Sequence, residues 1–406
     1  MEGRNGFSMA KSTATTAASA ADPRADALQA KTRRQPLTAI GLMSGTSLDG
    51  VDAALLTTDG TRTTAFGPAL TLPYSPAFRA ELRACLGQRP QSAWQAIIEA
   101  LTDRHADAVE TLLARAGGAG TGPAGIDVIG FHGQTVWHDP EHRETIQIGD
   151  PQRLADRLRL PVVADFRTAD VKAGGQGAPL VPLYHQALAT DLEKPLAVVN
   201  LGGVANITWI GRENGPGQQI LAFDTGPGNA LIDDWVRATT GEAFDADGRL
   251  AQSGRADRAR LDRWLAHPYF RQPPPKSLDR DAFAGLLAEL HGLTAADGAA
   301  TLAAFTAATI GRARAFLPLP PRRWLLAGGG RHNGVLAALI AEAVAAPLAP
   351  VEAVGWRGDA LEAEAFAFLA VRSLKGLPLS LPGTTGVPAP QPGGRLWLPS
   401  ATAPAA

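Results

Sequence analysis

The chain has 406 residues, 45% hydrophobic and 19% charged, with a formal net charge of −1. That length suffices for two domains with ordinary cores, and the near-neutral balance leaves no electrostatic footprint for nucleic acid or an anionic membrane surface as a general partner. No apolar run reaches the roughly 18–20 residues that span a bilayer. The single cysteine, Cys85, permits no internal disulfide and reads as a small buried apolar residue, compatible with a reducing cytoplasm.

Residues 1–36 are rich in Ala, Thr, Ser and Arg and lack the apolar stretch of a signal peptide, so they read as a disordered tail; their Ala content also permits a frayed helix. Residues 37–75 read as strands. Within them, Ile40 to Leu56 is strand, turn, strand, and the turn is built of Gly, Ser, Thr and Asp. Gly45 and Gly50 let a ligand approach bare backbone, and Ser44, Thr46 and Ser47 add hydroxyls. Asp49 and Asp52 would repel a phosphate unless a cation lay between. The turn Gly45-Thr46-Ser47-Leu48-Asp49-Gly50-Val51-Asp52 therefore reads as a loop for a metal–phosphate group, with Asp49 facing a Mg²⁺ shell. An ordinary Gly/Asp hairpin fits the spacing equally well. The missing Gly-Lys-Ser/Thr ending excludes a P-loop.

Residues 76–116 carry helical periodicity, with Phe78, Leu82, Cys85 and Leu86 on one face and Ile97, Ile98, Leu101, Val109, Leu112 and Leu113 on another. The Gly/Ala/Pro run 117–125 reads as a loop. Ile126 to Gly130 is a buried strand delivering Phe131 to His138 to its C-terminal end, where open α/β sheets bind ligands. His132 and His138 fall on an expected loop without further ligands nearby, so no zinc site is expected. Thr145 to Asp150 follows, then a helix over 151–158 and a buried strand over 161–167 with a charged end. Gly174 to Pro179 reads as a hinge or a packed loop.

The opening pattern then recurs. Leu196 to Ile210 is strand, Gly turn, strand; Ile220 to Phe223 is a third strand, closed by Asp224-Thr225-Gly226-Pro227-Gly228-Asn229 at a helix start. Asp224 reads either as a general base or as an N-cap. Helices are expected over 256–266, 281–290, 301–316, 334–345 and 359–374, and Trp324 to Ala327 is a strand running into Gly328-Gly329-Gly330. Trp94, Trp137, Trp209, Trp235 and Trp264 read as core. Two strand–Gly–strand hairpins, each followed by α/β material, predict a duplicated α/β fold with a cleft between the halves. The expected division is domain I over 37–168 plus 376–406 and domain II over 169–375.

Several stretches resemble the anhydro-N-acetylmuramic acid kinase family of the actin-like, sugar-kinase superfamily. They are Gly41 to Asp52, His132-Gly-Gln-Thr135, Gln147 to Asp150, Ala164-Asp-Phe-Arg167, Ala173 to Pro182, Asn200 to Thr208, Phe223 to Asp233, Pro275-Lys276-Ser277, Gly328 to Gly330 with Asn333, and Glu362 to Phe368. The resemblance covers nearly everything after residue 36. It implies a two-domain actin-like (ribonuclease H-like) fold with ATP and Mg²⁺ in the central cleft, in a cytoplasmic homodimer. It also implies an enzyme of cell-wall recycling that opens 1,6-anhydro-N-acetylmuramic acid with water and phosphorylates O6, giving N-acetylmuramic acid 6-phosphate. Carried over residue by residue, it makes Asp224 the catalytic base and Gly202, Gly203 and Asn206 the second phosphate hairpin. It sets Gly328, Gly329, Gly330 and Asn333 on the adenosine side. His132, Gln134 and Thr135 become sugar contacts, with Asp165, Arg167 and Glu362 also in the sugar pocket; Arg167 suits the lactyl carboxylate unless an internal ion pair with Asp165 holds it. Glu364, two residues beyond Glu362, points elsewhere on its helix. The chain departs from the family at Leu278-Asp279-Arg280-Asp281, where Thr-Gly-Arg-Glu is common, and at Val354 to Asp359. An ordinary hexose or N-acetylhexosamine kinase, and a nucleotide-gated binding module, are the alternatives.

Overall fold

The computed structural model describes residues 22–45, 47–116, 125–212 and 219–401. Thr46, most of the expected loop at 117–125, and residues 1–21 lie outside the described residues.

The described residues open with helix α1 (Pro23–Arg34), within the stretch 1–36 expected as a disordered tail or a frayed helix. Asp22 caps it through the Arg24 N–H, and Pro23 supplies a pre-set φ at the first turn. The helix buries Leu28 and Thr32, pairs Lys31 with Asp127 at 2.5 Å and ties Arg24 to the Pro399 carbonyl at 2.7 Å. These tertiary contacts hold what composition alone left frayed.

Strands β1 (Leu37–Ser44), β2 (Gly50–Thr58) and β3 (Thr63–Pro73) form an antiparallel meander. Helices α2 (Pro76–Cys85) and α3 (Gln95–Ala116) follow, then β4 (Val128–Asp139), β5 (Glu144–Ile148), α4 (Pro151–Leu158) and β6 (Val162–Ala164). β4 pairs parallel with β1 and β6, and β5 folds back on β4. Short helices α5 (Thr168–Lys172) and α6 (Pro182–Leu188) lead to a second meander, β7 (Leu196–Leu201), β8 (Val204–Ile210) and β9 (Ile220–Pro227). Helices α7 (Ala230–Thr240), α8 (Arg249–Ser253), α9 (Arg258–Leu265) and α10 (Ala295–Ala313) precede β10 (Arg323–Ala327). Helix α11 (Gly334–Val344), β11 (Leu348–Pro350), α12 (Leu361–Leu374), α13 (Pro382–Thr385) and β12 (Arg395–Trp397) complete the chain.

The first sheet is ordered β12-β6-β4-β1-β2-β3, with β5 on β4, and the second β11-β10-β7-β8-β9. Three antiparallel strands and two parallel ones stand in the same order in each: β3-β2-β1-β4-β6 and β9-β8-β7-β10-β11. This is the duplicated actin-like fold. The strands are apolar on both faces because both are covered. Val198 and Leu196 face a core shared with Ala39, Val128 and α12, whereas Val199 and Leu201 face a separate core under α10 and α11.

Helix α12, expected in the second domain, packs against β1, β2 and β4 of the first sheet. Its backbone comes so close that a Cβ on Gly41 would lie 1.7 Å from the Ala363 carbonyl oxygen, and one on Gly130 2.1 Å from that of Phe366. The neighbouring glycines Gly41 and Gly130, in register across β1 and β4, make the track that brings Glu362 into the cleft.

Candidate active site

In the first hairpin, Leu48 has φ +57° and its N–H donates to the Gly45 carbonyl at 3.1 Å, closing the turn. Leu48 and Val51 are fully buried, so any ligand contact from them is through the main chain. Gly50 is a packing glycine, because a Cβ there would lie 2.4 Å from the Leu72 carbonyl oxygen. Asp49 is exposed and paired with Arg79 at 3.0 Å. Asp52 accepts the Thr71 hydroxyl at 2.6 Å; burial raises its pKa to about 6, with Glu362, Asp49 and Asp359 adding to the rise.

The second hairpin carries a polar row. Asn200, Asn206 and Asp224 are direct neighbours across β7, β8 and β9, with a bulge beside Asn206. Opposed residues present their side chains on one face, and the row continues to α12, where Asn200 donates to Glu362 at 3.3 Å. The turn after β9 folds over the hairpin: the Gly228 and Asn229 N–H groups donate to the Gly203 and Gly202 carbonyls at 2.9 and 2.8 Å.

The glycines of the cleft divide by what a side chain would meet. A Cβ on Gly328 or Gly330 would clash with Asn200 or Asn229, at 2.4 and 2.7 Å. At Gly45, Gly202 and Gly203 the nearest neighbour would be 3.7, 3.5 and 3.6 Å away, and at Gly329 nothing lies within 4 Å. The fold does not need glycine at those four positions, whereas a phosphate cradle on bare backbone does. The space fits ATP. Among the described residues no group of three or more His, Cys, Asp or Glu is placed to hold a metal ion. Asn333 caps α11 by accepting the Leu336 N–H at 3.0 Å, which commits its carboxamide oxygen.

Asp224 lies inside β9 rather than at its end, and the N-cap position of α7 is Asn229, whose side chain makes no capping bond, so the N-cap alternative falls away. Strand pairing persists past Phe223 because the Asp224 N–H donates to the Lys276 carbonyl at 3.1 Å while β8 flanks the other side. The Tyr269 hydroxyl donates to the Asp224 carbonyl at 2.7 Å, and the Leu278 N–H donates to the carboxylate at 2.8 Å. Burial raises this carboxyl to about 7, against the Leu278 bond and the Lys276 charge, which lower it. Lys276 is buried and donates to the Tyr269 carbonyl at 3.0 Å; its ammonium lies 4.5, 4.8 and 5.7 Å from the Tyr269, Phe316 and Phe223 rings.

On the opposite wall, His132, Gln134 and Thr135 lie within β4, not on a loop. His132 Nδ1 donates to the Gly133 carbonyl at 2.8 Å, leaving Nε2 to accept Arg167 Nε–H at 2.9 Å. Burial, with Arg167 beside it, holds the His132 pKa well below the ordinary range. Both ring nitrogens of His132 are therefore engaged within the protein, Nε2 by Arg167. Gln134 is fully buried and accepts the Ser44 hydroxyl at 2.7 Å; Ser44 in turn accepts from Tyr74 at 2.9 Å. The Thr135 hydroxyl is half-buried and accepts from Gln147 at 3.2 Å. Asp165 sits at φ +57°, and its carboxylate forms no ion pair with Arg167 among the described salt bridges. Arg167 instead donates through Nη1 to the Gly177 carbonyl at 2.7 Å. Burial lowers its pKa to about 10, opposed by the charges of Glu362 and Asp170. Glu362 is raised by burial and lowered by Arg167 and Asn200. Glu364 faces the other way, fully buried, with Tyr184 at 2.7 Å and Arg357 at 2.5 Å.

The sequence family model described as anhydro-N-acetylmuramic acid kinase matches residues 37–397. The anhydro-N-acetylmuramic acid kinase of Acidiphilium cryptum is 59% identical over 371 residues, covering 90% of this chain and 99% of that protein. That of Rhodospirillum rubrum is 57% identical over 367 residues, covering 90% and 95%. The chain belongs to the anhydro-N-acetylmuramic acid kinase family. Among solved structures, the activator of 2-hydroxyisocaproyl-CoA dehydratase from Clostridium difficile with bound ADPNP aligns over 84% of this chain and 96% of its own, at 11% identity and TM-score 0.43.

Helix α1 precedes the segment matched to the anhydro-N-acetylmuramic acid kinase family. Sequence reasoning set aside the diverged stretch after Ser277, yet the fold brings it to Asp224. The contact is the Leu278 N–H, which is indifferent to side-chain identity. Arg280 of the same stretch pairs with Asp234 at 3.0 Å. Asn200 and Asp233 were also missed as individual site residues. Asp233 is half-buried and raised to about 7 by burial, with Asp234 and Asp49 adding to the rise. The motif Phe223 to Asp233 contained the signal for Asp233, an acid on the first turn of α7. Nothing local distinguished Asn200.

Proposed function

We propose that this chain is an ATP-dependent kinase that opens 1,6-anhydro-N-acetylmuramic acid with water and phosphorylates O6 to give N-acetylmuramic acid 6-phosphate. Family membership supports the reaction, and the observation that carries the residue assignment is Asp224. It is a carboxylate raised to about 7, set in the cleft in one row with Asn206, Asn200 and Glu362.

Water attacking the anomeric C1 must lose a proton, and a base works best with a pKa near the working pH. Asp224 takes that proton. The breaking C1–O6 bond ordinarily calls for an acid, which is why glycosidases carry two carboxylates. ATP with Mg²⁺ supplies the phosphoryl group that O6 acquires, so one carboxylate suffices for the sugar chemistry. Open backbone at Gly45, Gly202, Gly203 and Gly329 would hold the phosphates, with Asp49 toward the cation. Asn206 and the Gly328–Asn333 turn would bound the nucleotide. Arg167, oriented by His132 and Gly177, would take the lactyl carboxylate, and Glu362 a sugar hydroxyl or the water. His132, Gln134, Thr135 and Asp165 support that wall. We place the enzyme in the cytoplasm as a homodimer by resemblance to the family; among the described residues no helix is long and apolar enough to cross a membrane.

The test is mass spectrometry of the product formed from ATP, Mg²⁺ and the anhydro sugar in ¹⁸O-water. One ¹⁸O at C1 of a phosphorylated sugar is expected. A phosphorylated product with the bridge intact, or turnover of free hexosamine alone, overturns the reading in favour of an ordinary sugar kinase.

A further inference from the structure

The proposed sugar wall and the wall that carries Asp224 are joined by hydrogen bonds linked through short stretches of main chain, none of it using the sugar or the nucleotide. Arg167 Nη1 donates to the Gly177 carbonyl at 2.7 Å. The Gly177 N–H donates to buried Asp170 at 2.6 Å, and Asp170 also accepts from Thr385 at 2.6 Å and from Ser380. The next residue back, Gln176, is fixed by its N–H to the Thr385 carbonyl at 2.7 Å. Its side-chain oxygen accepts the Ser277 hydroxyl at 2.7 Å. Ser277 immediately precedes Leu278, whose N–H holds the Asp224 carboxylate at 2.8 Å, and follows Lys276, whose carbonyl holds the Asp224 N–H at 3.1 Å.

We propose that the Gln176–Ser277 hydrogen bond positions the base: it couples the seating of Arg167 on its ligand to the orientation of the Asp224 carboxylate. The proposal rests on the functional reading above. Gln176 and Ser277 are positioning residues and touch no reacting atom. The physical ground is short-range geometry. General-base catalysis depends on carboxylate placement within a fraction of an ångström, and the irregular segment 276–278 that sets it has its side-chain anchor to the opposite wall at Ser277. Asp170 clamps the other end of the run, so a shift of Arg167 is passed on rather than absorbed in the glycine-rich loop Gly174–Gly177.

The test is steady-state kinetics of Ser277→Ala and Ser277→Thr on 1,6-anhydro-N-acetylmuramic acid, with thermal unfolding as a check on folding. A wild-type chain that phosphorylates no anhydro sugar defeats the functional reading before any variant is compared. Given wild-type turnover, Ser277→Ala is expected to lower kcat about tenfold, the worth of one hydrogen bond, with KM for both substrates within twofold; Ser277→Thr, which keeps the hydroxyl, restores most of it. The coupling is read in a cycle with Arg167→Lys, which disturbs the bond to Gly177. The double variant should lose much less than the product of the two single losses. Unchanged kcat in Ser277→Ala, a change confined to KM, or losses that multiply in the double variant overturns the proposal.

Discussion

Replacing Asp224 with Asn separates the chemistry of this carboxylate from its cost. The carboxyl is raised from 3.8 to about 7 by burial, so ionising it in the folded protein is unfavourable relative to the unfolded chain. At about 1.4 kcal/mol per unit, a rise of roughly 3 units is worth about 4 kcal/mol, and about half that once its partial exposure is discounted. The sign follows from proton binding: between the unfolded and folded pKa values the native state holds the extra proton, so stability falls as pH rises through about 7. Asn stays neutral and still offers an oxygen to the Leu278 N–H. Asp224→Asn should therefore be more stable than wild type in urea unfolding at pH 8, by about 2 kcal/mol, with the gap at pH 5 less than half as large. Over the same range its kcat should fall by about a thousandfold, the middle of what a general base contributes, while ATP binding measured by calorimetry stays intact. A variant that keeps a tenth of wild-type turnover refutes the base assignment. An equal stability gap at pH 5 and pH 8 refutes the burial argument.

Lys276→Met keeps the apolar stem among Phe223, Tyr269 and Phe316 but removes the charge that lowers the Asp224 pKa; the acid limb of kcat/KM, near pH 7 in wild type, should move up by about half to one pH unit, and Lys276→Arg should hold it in place. Gly203→Ala adds a methyl with 3.6 Å of clearance, so its melting temperature should match wild type while KM for ATP rises at least about tenfold; a normal KM would remove this turn from the phosphate site. Gly41→Ala, with 1.7 Å of clearance against α12, should by contrast yield little soluble protein. Glu364→Gln leaves Arg357 without its charged partner and should cost about 3 kcal/mol in denaturant unfolding, whereas Glu362→Gln should spare stability and depress kcat; the reverse pattern would exchange the two assignments.

The meanders and the Gly turns were legible because they are local: apolar runs broken by Gly, Asn and Asp write strand and turn directly. Long-range packing decided the rest. The polar stretch His132 to Thr135 looks like a loop after a buried strand, yet β1 and β5 flank it and keep it in the ladder to Asp139. Gln134 then vanishes into the core because Ser44, its register partner on β1, supplies the hydrogen bond a buried amide needs. Helix α12 follows second-half material in sequence but lies on the first sheet, and its only trace was a pair of strand glycines, Gly41 and Gly130, far apart in the chain.

Duplication also bears on which of the raised carboxylates is the better candidate base. The row equivalent to Asn200–Asn206–Asp224 in the first sheet is Met43–Asp52–Thr71, so each wall of the cleft offers one aspartate. Asp52 stands among acids, with Asp49, Asp359 and Glu362 all raising its pKa, and its carboxylate is tied by the Thr71 hydroxyl. A concentration of negative charge beside a phosphate turn suits a cation. Asp224 has the opposite setting: the charge acting on it is the Lys276 ammonium, and its hydrogen-bond partner is a main-chain N–H that leaves lone pairs for a water. The two halves share one plan, and in the proposed reaction the neighbours of each aspartate suit Asp52 to the side of the nucleotide's cation and Asp224 to the sugar's proton.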